Sequence, residues 1–294
     1  MQALRRALDR GLLTEEQTSL FLDRVLDFEG AGNASARVRV GALTSPVVLH
    51  VPHASTYVSP DARRSIMLDH EELAVELAHM TDLHTDAMAE AVAATTSGAE
   101  PWLFVNERSR LVVDPERFTD EREEMRAVGM GAVYTRTSHG RVLREPDPAG
   151  EAWLVERYFA PYATALADLV DERLAVAGRA VIIDLHSYPS QPLPYELHGD
   201  QRRPEVCLGV DEQHTPAWLL EAAERAFASY DVVVDEPFAG TYVPSRHHRR
   251  DLRVASLMVE VRRDVYMREP GSATHDGLEA LVSAIVALVG GVSG

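Results

Sequence analysis

Two histidines stand where apolar runs give way to polar residues. His53 follows Val47–Val51 and Pro52, and His186 follows the β-branched run Val181–Ile183, with Asp184 and Ser187 beside it. Glu260 interrupts the hydrophobic stretch Ser256–Val261, a placement that is costly unless the carboxylate is paired or functional. Between the two histidines lies Thr81-Asp82-Leu83-His84-Thr85-Asp86. Each histidine alone is more often a surface or hydrogen-bonded structural group than a ligand. Together, two imidazoles, a carboxylate and a further Glu make the ligand set and the base of a catalytic zinc site, where three protein ligands leave a position for water and a nearby carboxylate takes its proton.

Other chemistries lack their sequence marks. No serine sits in G-x-S-x-G, no H-E-x-x-H helix or Walker loop is present, and Gly129-Met130-Gly131 does not complete G-x-G-x-x-G. Cys207 is the only cysteine, so an intramolecular disulfide and a thiolate cluster are excluded and His, Asp and Glu remain as ligands. The net charge of −17, from 29 Lys+Arg against 46 Asp+Glu, works against non-specific binding to nucleic acid or an anionic membrane. It leaves room for a small anionic substrate, because the arginines of 246–253 and 262–263 can form a local positive pocket, although such clusters also serve as solvated loop surface. No run approaches the roughly 18 apolar residues of a membrane span, and the charged N-terminal segment does not read as a signal peptide. The expectation is a cytoplasmic protein that acts on a small molecule.

The elements that must hold these groups follow from periodicity. Residues 1–36 read as a helical extension ending in a small-residue linker, and residues 37–294 as one α/β domain. Val47–Val51 is the first buried strand. Asp69 caps one helix that the pattern carries to about Ala94, which sets Asp82 and Asp86 on a common face. Short strands are predicted at Trp102–Val105 and Leu111–Val113, a helix at Glu151–Ala177 closed by Gly178, a helix from Pro216 to Ser229, strands at Val232–Val234 and Ser256–Val261, and a last helix at His275–Val289. Asp184 suits an outer partner of His186, with a bend expected to bring it to the ring. Strands alternating with helices predict an α/β sandwich with a mixed, mostly parallel sheet.

Several motifs occur in a telling order: His53 in Val-Pro-His-Ala-Ser-Thr, the Thr81–Asp86 segment, Ser109-Arg110-Leu111-Val112-Val113-Asp114 with Arg117, Asp184-Leu185-His186-Ser187, Leu208-Gly209, Gly240-Thr241-Tyr242 with Arg246-His247, and Met258-Val259-Glu260-Val261 with Tyr266-Met267. From about residue 45 to 268 this set resembles the N-formylglutamate amidohydrolase family. The resemblance implies a three-layer α/β/α sandwich, phosphorylase/hydrolase-like and related to the zinc carboxypeptidases and aspartoacylases. It implies a zinc-dependent amidohydrolase of amino-acid metabolism, another divalent metal being possible, that cleaves an N-acyl, above all N-formyl, amide of an acidic amino acid such as N-formylglutamate. Carried over by position, His53 and His186 are metal ligands, Glu260 is the general base, and Arg110, Arg117 and Arg246 grip substrate carboxylates. The superfamily's Glu three residues after the first His is Thr56 here, so the third ligand passes to Asp82, with Asp86 in reserve. Two departures stand out. Pro-His-Ala-Ser replaces Pro-His-Ser-Gly, and Asp-Pro-Glu-Arg replaces Asp-Leu-Asn-Arg, which puts Glu116 where an amide would help hold the substrate. They motivate an alternative: a catalytically inactive relative that binds an acidic metabolite.

Overall fold

A computed structural model describes residues 35–294 other than 198, 270 and 271; the helix expected in residues 1–29 lies outside them. Seven strands form one sheet: β1 (Ala36–Arg39), β2 (Val47–Val51), β3 (Trp102–Asn106), β4 (Ala180–Tyr188), β5 (Val206–Gly209), β6 (Val232–Val234) and β7 (Val254–Arg262). Their order is β1-β3-β2-β4-β7-β5-β6. The central run β3-β2-β4-β7 is parallel, β1 and β5 join it antiparallel, and β6 pairs parallel with β5. Every residue of β2, β3 and β4 is buried, as continuous apolar strands covered on both faces require.

The helices are α1 (Pro60–Arg63), α2 (His70–Met80), α3 (Thr85–Thr95), α4 (Pro148–Leu154), α5 (Ala160–Ala177), α6 (Ala217–Ala226) and α7 (Gly277–Val292). Strand alternation sorts the core into two halves. Leu49, Ile183, Leu257 and Val259 face one side and pack on Met88 and Val92 of α3, Leu219 of α6 and Ile285 and Leu288 of α7. Val48, Ile182, Phe104 and Val254 face the other and pack on Tyr162, Leu166 and Val170 of α5. Each such fully buried aliphatic side chain contributes about 1.5–3 kcal/mol. The result is a three-layer α/β/α sandwich with a mixed sheet. No helix among the described residues is long and apolar enough to cross a membrane.

Three sequence expectations change. The single helix from Asp69 to Ala94 is two helices. Asp69 does cap α2, in a box where its side chain accepts from Glu72 N and Glu72 accepts from Asp69 N, but the helix stops at Met80 and His84 turns the chain at φ 71°. Leu111–Val113 is a turn, not a strand: Val112 N donates to Ser109 O at 2.8 Å and Asp114 N to Ala132 O at 2.8 Å. And β4 continues to Tyr188, so Asp184 and His186 are strand residues two apart and therefore on the same face, with no bend needed.

Candidate active site

The face of the sheet that carries Val48 and Ile182 turns polar toward the carboxyl ends of its parallel strands. Register aligns His50 with Asp184, and then His186 with Glu260. Loops leaving the same ends add His53 after β2 and Asp114 and Glu116 after β3. Open α/β sheets bind ligands at this end. A cavity of about 770 Å³ lies there, lined among others by His53, Asp82, Asp114, Glu116, His186 and Glu260.

Asp82 reaches the cavity because α2 is interrupted. Asp82 N donates to His53 O at 3.0 Å, and Thr85 Oγ1 donates back to Asp82 O at 2.8 Å. Buried Arg263 ties the break down by donating to His79 O at 3.1 Å and Thr81 O at 2.8 Å, a cation set on the carbonyl end of a helix. Tyr266 OH donates to Leu83 O at 2.7 Å. The positive φ of His84, which costs a non-glycine residue about 1–2 kcal/mol, is held by these contacts.

The two imidazoles then meet through the same nitrogen. His53 Nδ1 and His186 Nδ1 are 3.2 Å apart, and Asp82 Oδ2 is 3.2 Å from His186 Nδ1 and 3.7 Å from His53 Nδ1. A tetrahedral ion with bonds of about 2.0–2.1 Å needs ligand atoms spaced about 3.3 Å. The far nitrogens face carboxylates. His53 Nε2 donates to Asp114 Oδ1 at 2.9 Å; Asp184 Oδ1 and Glu116 Oε2 lie 3.1 and 3.3 Å from His186 Nε2, without hydrogen-bond alignment. Behind Asp184 stands His50, whose Nδ1 donates to Asp184 Oδ1 at 2.9 Å while its Nε2 accepts from Tyr162 OH at 2.5 Å. Asp114 is held in turn by Arg110 at 2.7 Å and by Tyr134 OH at 2.5 Å, both on Oδ2.

Asp114 puts the His53 proton on Nε2, and the carboxylates beside His186 Nε2 favour the same tautomer there electrostatically, which leaves both Nδ1 lone pairs, with Asp82, aimed at one point. The donor set therefore fits a divalent cation. The surrounding charges favour a positive group at this point. Burial disfavours charge on His186, yet Glu116 and Asp184 outweigh it and hold the ring well above its ordinary pKa. Burial likewise opposes ionised Asp114 and Asp82, but Arg110 and His53 for the first, and His186 and His53 for the second, pull both below the usual carboxylate range. Glu260 differs. Burial pushes its carboxyl up to about 7, with His186 opposing and Asp82 adding, and its Oε2 has no hydrogen-bond partner among the described residues.

Asp82, His53, His186 and Glu260 thus share one cavity, and Asp86 is not among its lining residues, its carboxylate accepting from Ala87 N at 2.8 Å. Arg110 and Arg117 line the wall; Arg110 is bound to Asp114, and Arg117, with 29% of its side chain exposed, lies 3.4 Å from Glu123. Arg246 lies at the rim, bonded to Asp168 at 2.6 Å and Asp171 at 2.5 Å on α5. Sequence reasoning gave no role to His50, Asp114, Tyr134 or Tyr162. His50 carried a usable signal, a polar residue inside an apolar strand, the anomaly that singled out Glu260.

The fold is a three-layer α/β sandwich with a polar cluster at the carboxyl ends of its parallel strands. The chain belongs to the N-formylglutamate amidohydrolase family, whose model matches residues 45–267. Among solved structures, it is similar to an N-formylglutamate amidohydrolase from Ralstonia eutropha JMP134, with a TM-score of 0.72 and 22% identity over 87% of this chain and 96% of that one. It is also similar to a gene product of Agrobacterium tumefaciens, with a TM-score of 0.64 and 20% identity over 89% of this chain and 95% of that one. These likenesses extend the fold. No curated protein matches the chain.

Proposed function

We propose that the protein is a metal-dependent amidohydrolase that cleaves the N-formyl, or another N-acyl, amide of an acidic amino acid, with zinc as the first candidate metal. The observation that carries this reading is the convergence of His53 Nδ1, His186 Nδ1 and Asp82 Oδ2 within 3.7 Å, each ring backed by a carboxylate. A divalent cation bound there would supply Lewis acidity to an amide carbonyl and to water.

The chain's own groups divide the remaining work. Glu260, with a carboxyl near 7, is poised to take a proton from water and return it to the leaving amine. Asp114 and Asp184 keep the imidazoles oriented, and burial of both keeps them from water. Arg117 presents the more open guanidinium of the cavity wall and grips the substrate's acid end, with Arg110 behind it and Arg246 at the rim. Glu116 lies against both histidines, so the substrate carboxylate approaches from the Arg117 side.

Screening N-formyl and N-acetyl glutamate and aspartate for release of free amine, together with metal quantification, tests the proposal. Glu260→Gln should lower kcat by about 10²–10⁴ with metal content unchanged. Full activity in that variant, or in protein stripped of metal, removes the proposal.

A further inference from the structure

A second set of ligand-type residues lies outside this cluster. Glu76 and His79 are three residues apart on α2, hence on one helical face, and His139 occupies the tip of the loop opposite. Each offers one ligand atom, and the three atoms lie within 4.8 Å of one another. The tip is built to stay there. Ser138 donates from N and Oγ to the Glu76 carboxylate at 2.6 and 2.8 Å, and Arg141 donates to Glu72 at 2.6 Å. Gly140, at φ 76°, closes the turn, in which Thr137 N donates to Arg141 O and Gly140 N to Thr137 O, both at 2.9 Å.

The imidazoles of His79 and His139 face each other at 4.8 Å between centroids and 37° between planes. His79 Nδ1 is buried and has no hydrogen-bond partner among the described residues. Ser138 Oγ also lies 3.0 Å from His139 Nδ1, so the loop tip holds the buried Glu76 carboxylate beside two close imidazoles, one of them with an unsatisfied nitrogen.

We propose that Glu76, His79 and His139 form a second divalent-metal site. Two imidazoles and one carboxylate select zinc, cobalt or nickel over magnesium or calcium. The site would join the last turn of α2 to the loop tip.

Zinc counted per chain after equilibration and gel filtration tests it, in the wild type, His139→Ala and His53→Ala. His139 is exposed, so its removal leaves the fold intact. Wild type should carry two equivalents and His139→Ala one, with amide hydrolysis retained. His53→Ala should keep the equivalent that a further His139→Ala removes. A count that His139→Ala leaves unchanged, in either background, overturns the proposal. If His53→Ala alone changes nothing while His139→Ala lowers the count, this site stands and the catalytic assignment fails instead.

Discussion

The histidines of the proposed metal cluster depend on what stands behind them. Asp114 accepts at 2.9 Å from His53, and its other oxygen is fixed by Arg110 and Tyr134. Asp114→Asn removes the charge that sets the His53 tautomer, and an amide nitrogen turned toward the ring forces Nδ1 to carry the proton. Metal affinity should fall by about 10–100-fold, read by competition with a chromophoric chelator. Asp86→Asn, remote from the cavity, serves as the control, and equal affinities in the two variants reject this role for Asp114. At this scale the sequence shows residues that violate their surroundings, such as Glu260 in an apolar strand, and residues in recurring motifs, such as His53 and His186. Asp114 lies in such a motif, but nothing local gives it a task. It is an ordinary acidic residue in a polar loop until the fold brings it 61 positions back to His53.

Elements decide which carboxylate joins the cluster. An uninterrupted apolar period from Leu73 to Val92 describes one helix, and on that helix Asp82 and Asp86 are equivalent. The break separates them, and it is stabilised from the far end of the chain by Arg263 and Tyr266, which local pattern does not register. Strand register, by contrast, is legible: alternation alone would have put Asp184 beside His186. Arg263→Met keeps the aliphatic stem but strips the carbonyls at the end of α2 of their donors, at a cost of about 1–3 kcal/mol. The melting temperature and the metal affinity should fall together. A drop in stability with unaltered affinity would show that the break does not position Asp82.

For the whole molecule, charge is concentrated where the sheet opens. Among the acidic residues that line the cavity, Asp82, Asp114, Glu116, Asp184 and Glu260 gather around the two histidines, with Arg110 and Arg117 among the neighbouring cations. The net charge of −17 reports none of this arrangement, because it averages over a surface on which most acidic residues are solvated. Burying so many anions is unfavourable unless positive charge accompanies them, and under the proposed function a bound divalent cation would supply it in the folded state only. Linkage then predicts the size of the effect. Free metal at a thousand times its dissociation constant stabilises by about 4 kcal/mol. For a chain of this size each kcal/mol moves the midpoint by about 2–4 °C, so chelation should lower the melting temperature by about 8–16 °C, reversibly on adding zinc. His53→Ala should melt near the chelated protein and respond less to zinc than the wild type, retaining only what the Glu76–His79–His139 site contributes. Chelated and zinc-loaded wild type that unfold at the same temperature would leave the anionic cavity to be balanced by its arginines and histidines alone.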